Sequence, residues 1–256
     1  MPSKSNDKIK FFDDRRDIIV PGNMQETLTF CVEHFIAIGN KAIAARGKFT
    51  VALSGGSTPK AIFQLLASPA YREKLDWNKT FVFWSDERCV PPTDSESNYH
   101  MAMEAGFSSL PIPKEQIFRM PADSPDLSAA AKSYEELILK HVPAGSFDLV
   151  MLGMGEDGHT ASLFPKTHGL HADDGLVIPN YVPQKNTWRM SFTFDCINNS
   201  HNIAIYVIGK SKVTMLKHVL TAPFDPDTLP IQNIGTRSHK ALWIADADAA
   251  QGLNLK

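Results

Sequence analysis

The stretch FDLVMLGMGEDGHTASLFP, residues 147–165, decides how the rest of the chain reads. Its first five residues, Phe147 to Met151, have the apolar character of a strand buried on both faces. Gly153, Gly155 and Gly158 follow, with Asp157 and His159 between and beside them. Glycines let a backbone turn sharply or come close to a ligand. Open α/β sheets hold their ligands in polar loops at the carboxyl ends of such strands. His159 is the group in this loop whose charge changes nearest neutral pH.

The same residues contain a decoy. Gly153 to Gly158 satisfies G-x-G-x-x-G, the dinucleotide fingerprint. That fingerprint requires a helix packed on the strand, and Pro165 arrives too soon for one. The following PKTHGLHADDGLVIP has the composition of a loop and not of the second strand of a βαβ unit. A nicotinamide-binding reading is disfavoured on both counts.

Working outward, residues 9–20 predict an edge strand or a pair of short strands. Asn23 and Glu26 have capping-box spacing. Leu28, Val32, Phe35, Ile36 and Ile43 recur at helical spacing over 24–45, and Gly47 ends that helix. Phe49 to Leu53 predicts a short buried strand. It runs into Ser54-Gly55-Gly56-Ser57-Thr58-Pro59 and a helical stretch from Lys60 to Leu66. Ser57 or Thr58 suits the cap of this helix, and Pro59 its first position. Such a loop is either an anion site at a helix N-terminus or a plain tight turn. The next strand, Phe81 to Trp84, leads into Ser85-Asp86-Glu87-Arg88-Cys89, either a surface ion pair or a substrate clamp.

The segment Ser95-Glu-Ser-Asn98-Tyr99 is predicted to enter a helix to about Ala105, and another helix at about 126–141 has Leu127, Tyr134, Leu137 and Ile138 inward. Residues 166–186 carry few periodic signals. His168, His171, Asp173 and Asp174 fit no common zinc spacing and read as solvent-facing loop residues. Strands are predicted at 188–194, with Arg189 on one face, at 203–208, ending in Gly209-Lys210, and at 241–245. A helix fills 211–220, and Asp246 caps a last short one.

Strands alternating with helices predict one α/β domain over residues 1–256. Its sheet is doubly wound and mainly parallel, with helices on both faces. The loops after strands 49–53, 81–84, 147–151 and 203–208 then share one edge. Ser54–Thr58, Asp86–Arg88, Asp157–His159 and Lys210 converge there on one crevice.

Composition narrows the function classes. Of 256 residues, 43% are hydrophobic and 21% charged, and the formal net charge is −2, which disfavours nucleic acid or a membrane as the main partner. No run is read as long enough for a membrane span, and the first residues have no apolar core of a secretory signal. Cys31, Cys89 and Cys196 are sparse and odd in number, as expected of reduced cytoplasmic thiols.

Three motifs together resemble the 6-phosphogluconolactonase family over nearly the whole chain. They are Leu53 to Pro59 (LSGGSTP), Trp84 to Pro91 (WSDERCVP) and Gly153 to Pro165. Arg189 to Thr193 (RMSFT), Gly209-Lys210 and Trp243 to Asp246 (WIAD) add weaker support. The resemblance implies hydrolysis of 6-phospho-D-glucono-1,5-lactone to 6-phosphogluconate. No metal or cofactor is expected, because histidines with zinc-like spacing are lacking and the fingerprint glycines sit in the wrong context, and a monomer is expected. The resemblance also implies His159 as the catalytic base, with Asp157 beside it in the motif. Gly55, Gly56, Ser57, Thr58, Asp86, Arg88, Gly155, Arg189 and Lys210 are then the substrate-binding candidates. The related glucosamine-6-phosphate deaminases are the alternative. They carry a glutamate before the proline, where this chain has Phe164.

Overall fold

The computed structural model describes residues 9–173 and 175–254. Asp174 and the first eight residues, part of the stretch read above for a signal sequence, lie outside the described residues. In chain order the elements are β1 (Lys10–Phe11), β2 (Arg16–Ile19), α1 (Met24–Arg46), β3 (Phe49–Leu53), α2 (Ser57–Leu66), β4 (Thr80–Trp84), β5 (Asp86–Arg88) and α3 (Asn98–Glu104). They continue with α4 (Leu127–His141), β6 (Leu149–Gly153), β7 (Val177–Val182), β8 (Thr187–Phe192), α5 (Phe194–Asn198), β9 (Ile203–Val207), α6 (Val213–Thr221) and β10 (Ala241–Ala245).

The main sheet runs β1-β2-β10-β9-β6-β3-β4. All its pairings are parallel except β1 with β2. Strands β3, β6, β9 and β10 are buried almost throughout, as a sheet covered on both faces requires. From β3 the chain continues to β4 on one side, whereas β6 is followed in this sheet by β9 on the other. That reversal opens a crevice between the carboxyl ends of β3 and β6.

Local signals explain several elements directly. Asn23 accepts from the Glu26 N–H at 3.1 Å, and Glu26 accepts from the Asn23 N–H at 2.8 Å, closing the capping box of α1. Gly47 ends α1 at φ +77°. Against the expectation from sequence, α1 is long and apolar enough, by length and composition alone, to cross a membrane. Here it is a core helix. Phe35 meets Phe49 edge-on at 5.3 Å, and Cys31, Val32 and Phe35 are fully buried.

Three further expectations need correction. The central strand lies two residues later than 147–151. Asp148 explains the shift: its buried carboxylate accepts from the Thr50 N–H at 2.7 Å and the Thr50 hydroxyl at 3.0 Å, and it pairs with Arg46. These bonds make residue 148 the strand's anchored entrance. Residues 166–186 are not all loop, because β7 lies there. With β8 and β5 it forms a second, antiparallel sheet ordered β5-β8-β7. Pro179 interrupted the strand signal, and it is tolerated because β7 is an edge strand. Finally, neither Ser57 nor Thr58 caps α2. The cap is Gly56, at φ +103°, with no side-chain hydrogen bond.

The second sheet hangs from the first through Ser85. Its N–H donates to Leu53 O at 2.8 Å, and its carbonyl accepts from Phe192 at 2.8 Å. Glu87 then locks β5 to α3. Its carboxylate accepts from the N–H groups of Arg88, Asn98 and Tyr99 at 2.8, 2.7 and 2.8 Å, and from the Ser97 hydroxyl at 3.0 Å. Burial raises its pKa more than these four bonds lower it. Losing this carboxylate strands several buried donors, each costing about 1–3 kcal/mol. Glu87→Ala should therefore reduce unfolding free energy in urea by roughly 3 kcal/mol. A loss below about 1 kcal/mol would show that α3 is held by other contacts.

Candidate active site

At the carboxyl edge of the main sheet, the loops after β3, β4, β6 and β9 enclose a cavity of about 210 Å³. Residues Ser54 to Thr58, Asp86, Arg88, Gly155, His159 and Lys212 are among those lining it.

The β6 loop builds the reactive corner. Gly153 ends the strand and no helix follows before the 3-10 turn at His168–His171, so the dinucleotide geometry is absent. The loop instead folds on itself. Gly155 N–H donates to His159 O at 2.9 Å, and Thr160 hydroxyl donates to Gly153 O at 2.9 Å. Asp157 Oδ1 sits 2.5 Å from His159 Nδ1 and also accepts from the His159 N–H at 3.1 Å. A carboxylate only accepts, so Nδ1 carries the proton, and in the neutral imidazole the lone pair is on Nε2. Burial alone would raise the Asp157 pKa; the hydrogen bond and charge of His159 outweigh it and hold the carboxyl below its ordinary value. A Cβ at residue 155 would lie 2.0 Å from His159 Nδ1, so only glycine admits the pair. The face of the imidazole is covered by Phe164, with ring centroids 3.9 Å apart.

The β3 loop supplies donors. The first N–H groups of a helix have no intrahelical partner, and no side chain caps those of α2 beside the cavity. Such an end attracts anions. Gly55 is close-packed for a different reason: a Cβ there would fall 1.9 Å from Asn98 Oδ1. Asn98 in turn donates to Asp86 O at 3.0 Å, and Asp86 Oδ2 accepts from the Ser162 hydroxyl at 2.8 Å. Asp86 is thus both a wall of the cavity and a tie between two of its loops.

Arg88 and Arg189 face each other in register across β5 and β8. Like charges directly opposite repel. Burial and the Arg88 charge pull Arg189 below its ordinary pKa, with Asp86 opposing them, and its Nε is buried without a partner. Arg88 lines the cavity, while Arg189 is not among its lining residues.

Lys210 is exposed and does not line the cavity; Lys212 does, with Nζ donating to Met154 O at 2.8 Å. Gly209, at φ +100°, starts a 3-10 turn that carries Lys212 inward. Asp246 fixes this turn by accepting from Gly209 N–H at 3.0 Å, and it accepts from Ala249 N–H at 2.8 Å. Sequence reasoning missed Lys212, though a second lysine in Gly209-Lys-Ser-Lys212 was the available signal. Cys89 is no nucleophile, because burial first, with nearby acids, pushes its thiol up to about 11 against the pull of Arg189. His171 pairs with Asp227 at 3.4 Å on the surface.

The family model described as glucosamine-6-phosphate isomerases/6-phosphogluconolactonase matches residues 22–243. A 6-phosphogluconolactonase of Chlamydia trachomatis is 40% identical over 94% of this chain and 92% of its own. One of Treponema pallidum is 44% identical over 76% of this chain and 80% of its own. The crystal structure of 6-phosphogluconolactonase from Thermotoga maritima superposes with a TM-score of 0.78 at 28% identity, covering 91% of this chain and 100% of that one. With the Asp-Gly-His loop at the carboxyl edge of a parallel sheet, these matches place the chain in the glucosamine-6-phosphate isomerase/6-phosphogluconolactonase family.

Proposed function

We propose that this chain hydrolyses 6-phospho-D-glucono-1,5-lactone to 6-phospho-D-gluconate, the lactone-opening step of the pentose phosphate pathway, with His159 as general base. The observation that carries this reading is the imidazole on the cavity wall, tied to Asp157 through Nδ1. Nε2 takes a proton from water as the oxygen adds to the lactone carbonyl. The resulting imidazolium, paired with the Asp157 carboxylate, returns a proton to the departing ring oxygen as the C–O bond breaks. Every step uses side chains and water, so the reaction calls for no metal or cofactor. The dianionic phosphate is held by Arg88 and Lys212 with the uncapped end of α2. The same reading takes the chain as a single-domain monomer of the cytoplasm. Phe164 argues against the deaminase alternative, because it puts a hydrocarbon ring, not a carboxylate, against the histidine.

Removing a general base costs 10²–10⁴-fold in rate. His159→Ala should lower kcat for fresh lactone by about that factor while KM changes little. In the wild type His159 holds the Asp157 carboxyl below its ordinary value, so Asp157 is not the group that sets the acid limb. The acid limb of the rate–pH profile should therefore vanish in this variant. A folded His159→Ala enzyme with near-full kcat would refute the mechanism. Ammonia release from glucosamine 6-phosphate without lactone hydrolysis would instead favour the deaminase.

Hydrogen bonds to charged groups contribute about 1.5–3 kcal/mol. Replacing Arg88 or Lys212 by alanine should raise KM for the phosphorylated lactone about tenfold or more, and far less for the unphosphorylated one. Equal effects on both substrates would show that these two cations do not read the phosphate.

A further inference from the structure

Phe164 is only 5% exposed, yet it stands outside the contiguous apolar core that includes its neighbour Leu163. What covers one face of its ring is the imidazole of His159, stacked at 3.9 Å between centroids and 19° between planes. Phe164 is itself fixed from behind. Its carbonyl accepts from the Thr167 N–H at 3.2 Å and the Thr167 hydroxyl at 2.8 Å. Asn180 of β7 donates to that same hydroxyl oxygen at 3.0 Å, so the second sheet braces the segment.

An imidazole held at one edge retains a rotation. The Asp157 bond fixes Nδ1 but leaves the ring plane free to tilt about that contact. A flat ring laid on the imidazole face removes the tilt, because offset-stacked aromatic pairs have a preferred geometry. It also keeps water off that face. The two restraints together leave Nε2 as the ring nitrogen not engaged by Asp157, in a residue that lines the cavity.

We propose that Phe164 is a positioning residue for lactone hydrolysis, fixing the plane of the His159 imidazole so that Nε2 is presented to the attacking water. The proposal rests on the reading of His159 as general base. Small errors in the placement of a reacting group cost large factors in rate without weakening binding.

The test compares Phe164→Leu with Phe164→Tyr, and Phe164→Met serves as the second ring-less variant should leucine not fold. Kinetics on fresh lactone are paired with proton NMR of the His159 ring, assigned by its disappearance in His159→Ala. The ring-less variant should lose about tenfold in kcat at unchanged KM, and Phe164→Tyr should stay within about threefold of wild type. The His159 ring protons should be shifted upfield in the wild type and in Phe164→Tyr, and return toward ordinary values without the ring. Equal kcat in the leucine and tyrosine variants, a rise in KM at constant kcat, or no upfield shift in the wild type would overturn the proposal. If His159→Ala itself keeps full kcat, the base assignment fails. If His159→Ala collapses while the ring-less variant matches wild type, only the positioning role fails.

Discussion

The hydrogen bond between Asp157 and His159 depends on an absence: residue 155 has no side chain. Any Cβ there would occupy the space of the imidazole and of the carboxylate, 2.0 Å from one and 2.7 Å from the other. The loop after β6 therefore has to close over a bare backbone, and its turns follow from that. Gly158 is left-handed at φ +80°, and its carbonyl is anchored by the Ile231 N–H at 3.0 Å. Ala161 and Lys166 also adopt positive φ, at +47° and +59°. Two such residues without glycine are uncommon, and they persist where surrounding contacts over-determine them.

Those surroundings are a buried polar network joining the sheets. Ser162 N–H donates to the Ser191 hydroxyl at 3.2 Å, Ser162 Oγ donates to Asp86, and Asn180 donates to Ser162 O at 2.9 Å. β5, β7 and β8 thus all grip the segment just after the histidine. A satisfied buried network specifies one arrangement, because each unpaired member would be costly. The small antiparallel sheet exists at the site's rim for this purpose as much as for its arginines.

Much of this was legible in the sequence because it rests on local signals. The capping box of α1, the glycine that ends it, the β–loop–helix alternation and the shared edge of four loops all follow from spacing and residue type. What was not legible depends on partners distant in the chain. β7 was hidden because Pro179 and Asn180 look like loop residues until β8 and Ser162 are beside them. Glu87 looked like a surface or clamp acid, and it is the buried anchor of α3. Lys212 was overlooked because only the positive-φ turn at Gly209 decides which lysine faces inward. Phe164 read as a difference from a related family, while its contact with the imidazole needed coordinates.

The central claim is that Asp157 and His159 act as one unit, and a double-mutant cycle on lactone hydrolysis measures that directly. The account predicts that Asp157→Asn lowers kcat substantially in the presence of His159 and by less than about twofold once His159 is alanine, because the carboxylate works only through the imidazole. Additive losses across the cycle would contradict it, since they would mean that Asp157 serves the reaction by a route that does not pass through His159.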